Sequence, residues 1–157
     1  MRLVHFSAEP LGPIHSMVQV DFPHHDVRKP QGLWVSDEDD YGWSQWCESS
    51  EFGIGQLQHL VTLKSDAKIL HIDGPAQLES FTDEFGEFLL PGVTDLRYVD
   101  WQAVADRYDG ILITPYLWSC RLEDAFFWYY VWDCASGCIW NADAIASVTL
   151  IEGTTDA

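Results

Sequence analysis

Short apolar runs bounded by Gly, Pro or Asp recur along the chain, broken by stretches that carry helical spacing. Residues 2–7 (RLVHFS) form the first run, and a strand there ties the terminus into a sheet. The following AEPLGPIHSM holds Pro10, Gly12 and Pro13, which forbid a long helix but permit a single turn with Leu11 and Ile14 held inward. Residues 21–30 (DFPHHDVRKP) read as a loop that feeds a strand at 32–36, where Leu33, Trp34 and Val35 suit a pleated surface. Ser36 is then placed as a helix N-cap, with Asp37, Glu38, Asp39 and Asp40 in a first turn where carboxylates suit the positive end of the helix dipole. Ser36 and Asp39 approximate a capping box. Trp43, Trp46 and Cys47, at i, i+3 and i+4, mark one face of that helix.

Further on, residues 57–63 and 67–72 read as two strands around the turn Lys64-Ser65-Asp66, a hairpin or a bulged strand. Leu78, Phe81, Phe85 and Phe88 predict a helix over 75–89, ended by Pro91-Gly92, with Gly86 weakening its last turn by up to ~1 kcal/mol. Asp100 caps a second helix over 101–108, whose Trp101, Val104, Ala105 and Tyr108 share one face. Asp109-Gly110 stops it, and 111–114 is a buried strand. A polar loop carries Arg121, Glu123 and Asp124. The aromatic run 126–132 and the short run 138–140 read as strands, 141–144 as a turn, and 147–152 as a last strand. A frayed tail over 153–157 completes a single globular domain of residues 1–152, of class α+β, with no internal repeat.

At 157 residues the chain is the size of one domain, able to bury roughly two-thirds of its unfolded surface. Hydrophobic residues make up 47%, far from the composition of disordered chains. Eight tryptophans exceed the needs of a small core, which favours a pocket or an interface. Eight Lys and Arg against 25 Asp and Glu give a net charge of −17, a field that repels phosphate backbones and anionic membranes. Arg28 and Lys29 are the one adjacent basic pair, so nonspecific nucleic-acid binding is disfavoured. The acids keep the domain soluble, or meet a basic partner, or mimic nucleic acid. No basic start with an apolar run after it and no stretch near ~20 apolar residues is present, which points to a cytoplasmic protein with no membrane partner. Four widely spaced cysteines point to reduced thiols.

Candidate chemistry is sparse. Cys134 and Cys138 with His24 and His25 give half a zinc site, but Cys47 and Cys120 stand alone and no metal is expected. The thiols read instead as small hydrophobes. Ser136 or Cys138 with His71 offers a nucleophile and a base, yet no Gly-x-Ser-x-Gly elbow exists. Phe52-Gly53-Ile54-Gly55 lacks the third glycine of a dinucleotide fingerprint, and there is no phosphate-binding loop ending in Gly-Lys.

The strand ending His5-Phe6-Ser7, the later strand Gly32-Leu33-Trp34-Val35-Ser36 with its aromatic helix, and a strand-rich C-terminal half together resemble the ADP-ribosyltransferase-like family. That family's first strand carries a His-x-Ser/Thr motif. The resemblance implies mixed and antiparallel split β-sheets with a few short helices, and NAD as substrate for ADP-ribose transfer to a macromolecular acceptor. It implies that His5 hydrogen-bonds a ribose hydroxyl, that the backbone of Phe6 pairs with the nicotinamide amide, and that Ser7 supports the strand end. Gly32, Trp34 and Ser36 take the second motif, and Tyr41 or Trp43 offers a ring for nicotinamide to stack on. The late glutamate of the family falls here near Gly137 or Cys138, where no acid stands. Asp133 is the substitute, with Ser136 and Asn141 as polar neighbours. Cleavage of the bond to nicotinamide passes through an oxocarbenium-like state that a placed carboxylate stabilises. The competing expectation is a noncatalytic acidic protein that mimics nucleic acid or covers a basic partner.

Overall fold

The computed structural model describes residues 1–20 and 29–151. Apolar runs become strands where turn residues isolate them: β1 (Leu3–Ser7), β2 (Leu33–Asp37), β3 (Leu57–Leu63), β4 (Ile69–Ile72), β5 (Gly86–Phe88), β6 (Arg97–Val99), β7 (Gly110–Ile113), β8 (Ser136–Ile139) and β9 (Ile145–Ile151). Three α-helices lie between them, α1 (Trp43–Ser50), α2 (Pro75–Phe85) and α3 (Trp101–Ala105), with 3₁₀ turns at Trp118–Cys120, Asp124–Val131 and Ala142–Ala144. The fold is α+β. Seven strands form one mixed sheet in the order β4-β7-β8-β2-β1-β3-β9, and β5 with β6 forms a separate two-stranded sheet. Among the described residues only β4 and β7 run parallel, joined by a crossover through α2 and α3, as a parallel pair requires.

The centre of the large sheet is forked. β1 and β2 share two register pairs, Leu3 with Asp37 and Val4 with Ser36. Beyond Val4 the first strand continues only along β3, as far as Ser7 opposite Leu57. β2 continues along β8, back to Leu33 opposite Ile139. Two limbs result, β1-β3-β9 and β2-β8-β7-β4.

One face of the β4-β7-β8-β2 limb carries the larger core, in which Ile72, Ile111 and Ile113 meet Leu78 and Phe81 of α2, Val104 of α3 and the buried aromatics Trp128, Tyr129 and Trp132. A smaller cluster joins Leu3 and Val61 of one limb to Val35 and Leu112 of the other. Ile69 of β4 and Val148 of β9, from the two edge strands, pack against that same cluster. The sheet therefore curls so that its limbs face each other, and one limb serves as the covering layer for the other.

Several expectations change. Ser36 is not a helix cap; it stays in β2, paired with Val4 and Ser136, because strand continuation on both sides outweighs a one-sided capping signal. Helix α1 begins seven residues later, after Gly42. Residues 57–63 and 67–72 do not form a hairpin, since β3 lies between β1 and β9 while β4 is the far edge. A register shift at Thr62/Leu63 does bulge the β3–β9 ladder. The helix over 75–89 stops at Gly86, where the chain turns extended and pairs with Val99. The helix at Trp101 ends at Ala105 rather than Tyr108, with Asp100 capping it through the Ala103 N–H at 3.1 Å.

The aromatic run 126–132 is a 3₁₀ segment, not a strand. Both flanks of β8 are already taken by β2 and β7, so the run cannot pair with the strand it leads into. Its rings instead fill the space above α2, where the Trp128 indole donates to Thr82 Oγ1 at 3.0 Å. No helical turn forms in residues 8–20. The frayed tail, the His24–His25 pair and most of the 21–30 loop lie outside the described residues. No helix among the described residues is long and apolar enough to cross a membrane.

Candidate functional site

Where β1 and β2 part, the sheet opens into a cavity of about 270 Å³. Val4, His5 and Phe6 line one side, and Trp34, Val35 and Ser36 the other. Trp132, Asp133, Cys134 and Ser136, on the approach to β8, form the back, with Lys29 and Trp43 at the edges. Clefts of about 400 and 410 Å³ flank α2; His71 lines the first and Cys120 the second, and none of the residues assigned to the nucleotide site lines either.

His5 stands at the fork itself. Its Nδ1–H donates to the Trp34 carbonyl at 2.6 Å, in the place where a third rung of the β1–β2 ladder would otherwise form. Burial lowers its pKa, the Trp34 bond pulls it partly back, and the His59 ring, 6.2 Å away between centroids, lowers it further. With Nδ1 holding the proton, Nε2 of the neutral ring is an acceptor. His59 is itself buried, and its Nδ1 has no partner among the described residues.

Ser36 donates through Oγ to Glu38 Oε1 at 2.5 Å. The same carboxylate accepts the Trp43 N–H at 2.9 Å and the Ser44 hydroxyl, so Glu38 satisfies the first backbone donor of α1 from outside the helix. This fixes the start of α1 beside the cavity and sets Trp43, stacked on Trp46 at 4.7 Å, along its rim.

Two rings of the lining touch. Trp34 meets the edge of Trp132 at 4.9 Å, and the Lys29 ammonium sits 5.1 Å from the Trp34 ring centroid. Asp133 faces Arg121 at 3.5 Å, and that guanidinium also lies over Tyr130. Ser136 Oγ donates to the Cys134 carbonyl at 3.0 Å. Burial pushes the Cys134 thiol up to about 12, which leaves it protonated and poorly nucleophilic.

Of the residues singled out from sequence, His5, Phe6, Trp34, Ser36, Trp43, Asp133 and Ser136 therefore meet around one cavity. Three do not. Ser7 turns its hydroxyl to the Glu9 carbonyl at 2.7 Å. Gly32 abuts β8, where a Cβ would stand 2.5 Å from the Ile139 carbonyl oxygen. Tyr41 packs against Trp118 at 4.8 Å and shares a hydrogen bond with Ser49. Asn141 caps the turn after β8 and bonds Asp109. The nucleophile–base pair does not assemble either, since His71 Nε2 bonds the Thr114 carbonyl and burial holds the Cys138 thiol up. No three His, Cys, Asp or Glu among the described residues gather as metal ligands.

Sequence reasoning passed over Lys29, Glu38, Trp132 and Cys134 as members of the site. Glu38 had a signal, an acid two residues past the strand serine and shortly before the helix. Trp132 had none beyond standing next to Asp133. No family model matches the chain, and no curated protein or solved structure is significantly similar to it.

Proposed function

We propose that the cavity at the fork binds NAD and that the protein transfers ADP-ribose to a macromolecular acceptor. The observation that carries this reading is the meeting of His5, Trp34, Ser36 and Asp133, from three separated segments, around an aromatic cavity at the parting of two strands. At about 270 Å³ it is at the small end of ligand pockets, which run from roughly 300 Å³. It suits the nicotinamide–ribose half of NAD, with the remainder lying outward.

In this reading the acceptor nitrogen of His5 takes a ribose hydroxyl, the Phe6 main chain meets the carboxamide, and the Trp34 and Trp43 rings flank the nicotinamide. The bond from the ribose C1′ to the ring nitrogen breaks, the pair of electrons leaves with nicotinamide, and positive charge develops on the ribose. Asp133 supplies the carboxylate for that charge, held in place by Arg121. The acceptor's nucleophile then attacks C1′ and gives up its proton.

Purified protein incubated with NAD and candidate acceptors is expected to release nicotinamide, with His5→Ala lowering the rate by well over tenfold, as loss of a positioning contact does. Absence both of release and of an NAD-induced rise in melting temperature overturns the reading. A complex with a basic protein that weakens steeply with salt and survives His5→Ala would favour the acidic interaction protein instead.

A further inference from the structure

We propose that the outer face of α1 docks a basic partner protein through its arginine side chains, which stack on Trp46 and Phe52 and meet the carboxylates of Glu48 and Glu51. A partner that is modified and a partner that is only held would use this face alike. None of these four residues lines the cavity at the fork.

Helix α1 is anchored by Cys47, its one buried residue. Trp43, Trp46 and Phe52 belong to neither hydrophobic core. Trp43 and Trp46 stack at 4.7 Å with 16° between their planes, and Phe52 lies against them at 5.8 and 5.4 Å. Phe52 is 55% exposed, and Ile54 beyond it is exposed as well. Rings that pack on one another at a surface have little side-chain freedom left to lose on binding. Tryptophan and arginine are enriched at the centres of protein interfaces, and a guanidinium stacks on an indole face as an ammonium does not.

The end of α1 sets these rings in place. Glu51 adopts the left-handed conformation at φ 53°, a position that favours glycine or asparagine. The reversal there lets the Phe52 N–H reach the Cys47 carbonyl at 2.9 Å and turns the Phe52 ring back onto the indoles. A carboxylate is thus kept at a strained backbone position, exposed and next in sequence to Phe52.

Charge selects the partner. Residues 30–63 hold six Asp and Glu and no Lys or Arg. Four of the acids are engaged: Asp37 accepts the Thr114 hydroxyl, Glu38 the Trp43 N–H, Asp39 faces the N-terminal amine, and Asp40 accepts the Tyr116 N–H. Glu48 and Glu51 are exposed and pair with no cation among the described residues. Helix α1 is only about 12 Å long, which puts both carboxylates within reach of an arginine seated on the rings. Anionic lipid and nucleic acid, which also seek aromatic surfaces, are repelled by the same charge.

Calorimetric titration of the full chain with a short peptide alternating glycine and arginine, and with its lysine counterpart, tests the docking face. The arginine peptide is expected to bind at least about fivefold more tightly. Trp46→Ala should abolish that preference. Phe52→Ala, which alters an exposed ring outside the helix, should weaken the arginine peptide about threefold. Glu51→Gly should weaken both peptides about threefold yet melt no lower than the parent, because the left-handed position suits glycine. Absence of binding, equal affinity for the two peptides in the parent, or an arginine preference that Phe52→Ala leaves unchanged overturns the proposal. So does association of the parent with neutral phosphatidylcholine vesicles in place of the peptides, which would give the face to a lipid surface.

Discussion

The imidazole of His5 occupies the position of a missing sheet rung, its Nδ1–H 2.6 Å from the carbonyl oxygen of Trp34. One side chain thereby closes the ladder between β1 and β2 and holds its remaining nitrogen as an acceptor at the cavity wall. A titrating group in a structural position links acidity to the integrity of the fork.

Burial lowers the pKa of His5 below its ordinary 6.5, so as pH falls through that value the unfolded chain takes up a proton before the native protein does. The contribution to stability is complete above pH 6.5 and declines below it, down to the lowered pKa. Urea unfolding at pH 7.5 and pH 5 should show a smaller loss for His5→Gln than for the parent. Equal losses would refute the linkage.

Glu38 serves α1 from outside, through the Trp43 N–H and the Ser44 hydroxyl. Glu38→Ala should cost about 1–2 kcal/mol, the magnitude of a lost helix cap, and Glu38→Gln, which keeps an acceptor oxygen, should cost less. Denaturant midpoints at constant slope distinguish the two, and an Ala variant as stable as the parent would contradict the geometry.

Thr82 is a relay in the larger core, donating to the Leu78 carbonyl at 2.8 Å while accepting the Trp128 indole at 3.0 Å. Thr82→Val keeps the shape and strands the indole donor, for an expected loss of about 1–3 kcal/mol. Thr82→Ser retains the hydroxyl and should recover part of that loss; thermal or chemical unfolding of the pair provides the comparison.

Gly137 lies in mid-strand where a Cβ would sit 2.1 Å from the Ile111 carbonyl oxygen, a backbone atom that cannot step aside. Gly137→Ala should destabilise by about 3 kcal/mol or more, at or beyond the upper end of ordinary overpacking. Gly53→Ala, with nothing within 4 Å of its new methyl, is the control and should unfold at nearly the parent midpoint.

The strands β1, β2, β7 and β9 were legible because each is an apolar run fenced by turn residues, and the Asp100 cap because nothing competes with it. Ser36 was misplaced because Ser-x-x-Asp describes a cap locally, whereas pairing with Val4 and Ser136 is a contact between distant segments. The 126–132 run was misread for a related reason. Its residue types suit a strand, but β8, the strand it leads into, already has a neighbour on each side. Within the cavity, His5, Phe6, Trp34 and Ser36 were named through the resemblance that the His5-Phe6-Ser7 and Gly32-Leu33-Trp34-Val35-Ser36 segments carry, and Asp133 as the carboxylate nearest the place of that family's late glutamate. Lys29 and Trp132 stayed hidden because composition does not distinguish a ring facing a void from one facing a neighbour.

The fork between β1 and β2 places the opening in the middle of a sheet rather than at its rim. Along that seam the limbs are tied by two register pairs, by the Glu38 N–H on the Arg2 carbonyl at 2.9 Å and by the His5 side chain. Anything lodged there becomes a replacement rung, touching both limbs at once, and its binding energy is added directly to the free energy that resists their separation. Occupancy and architecture are the same variable in this molecule: to fill the cavity is to finish the sheet.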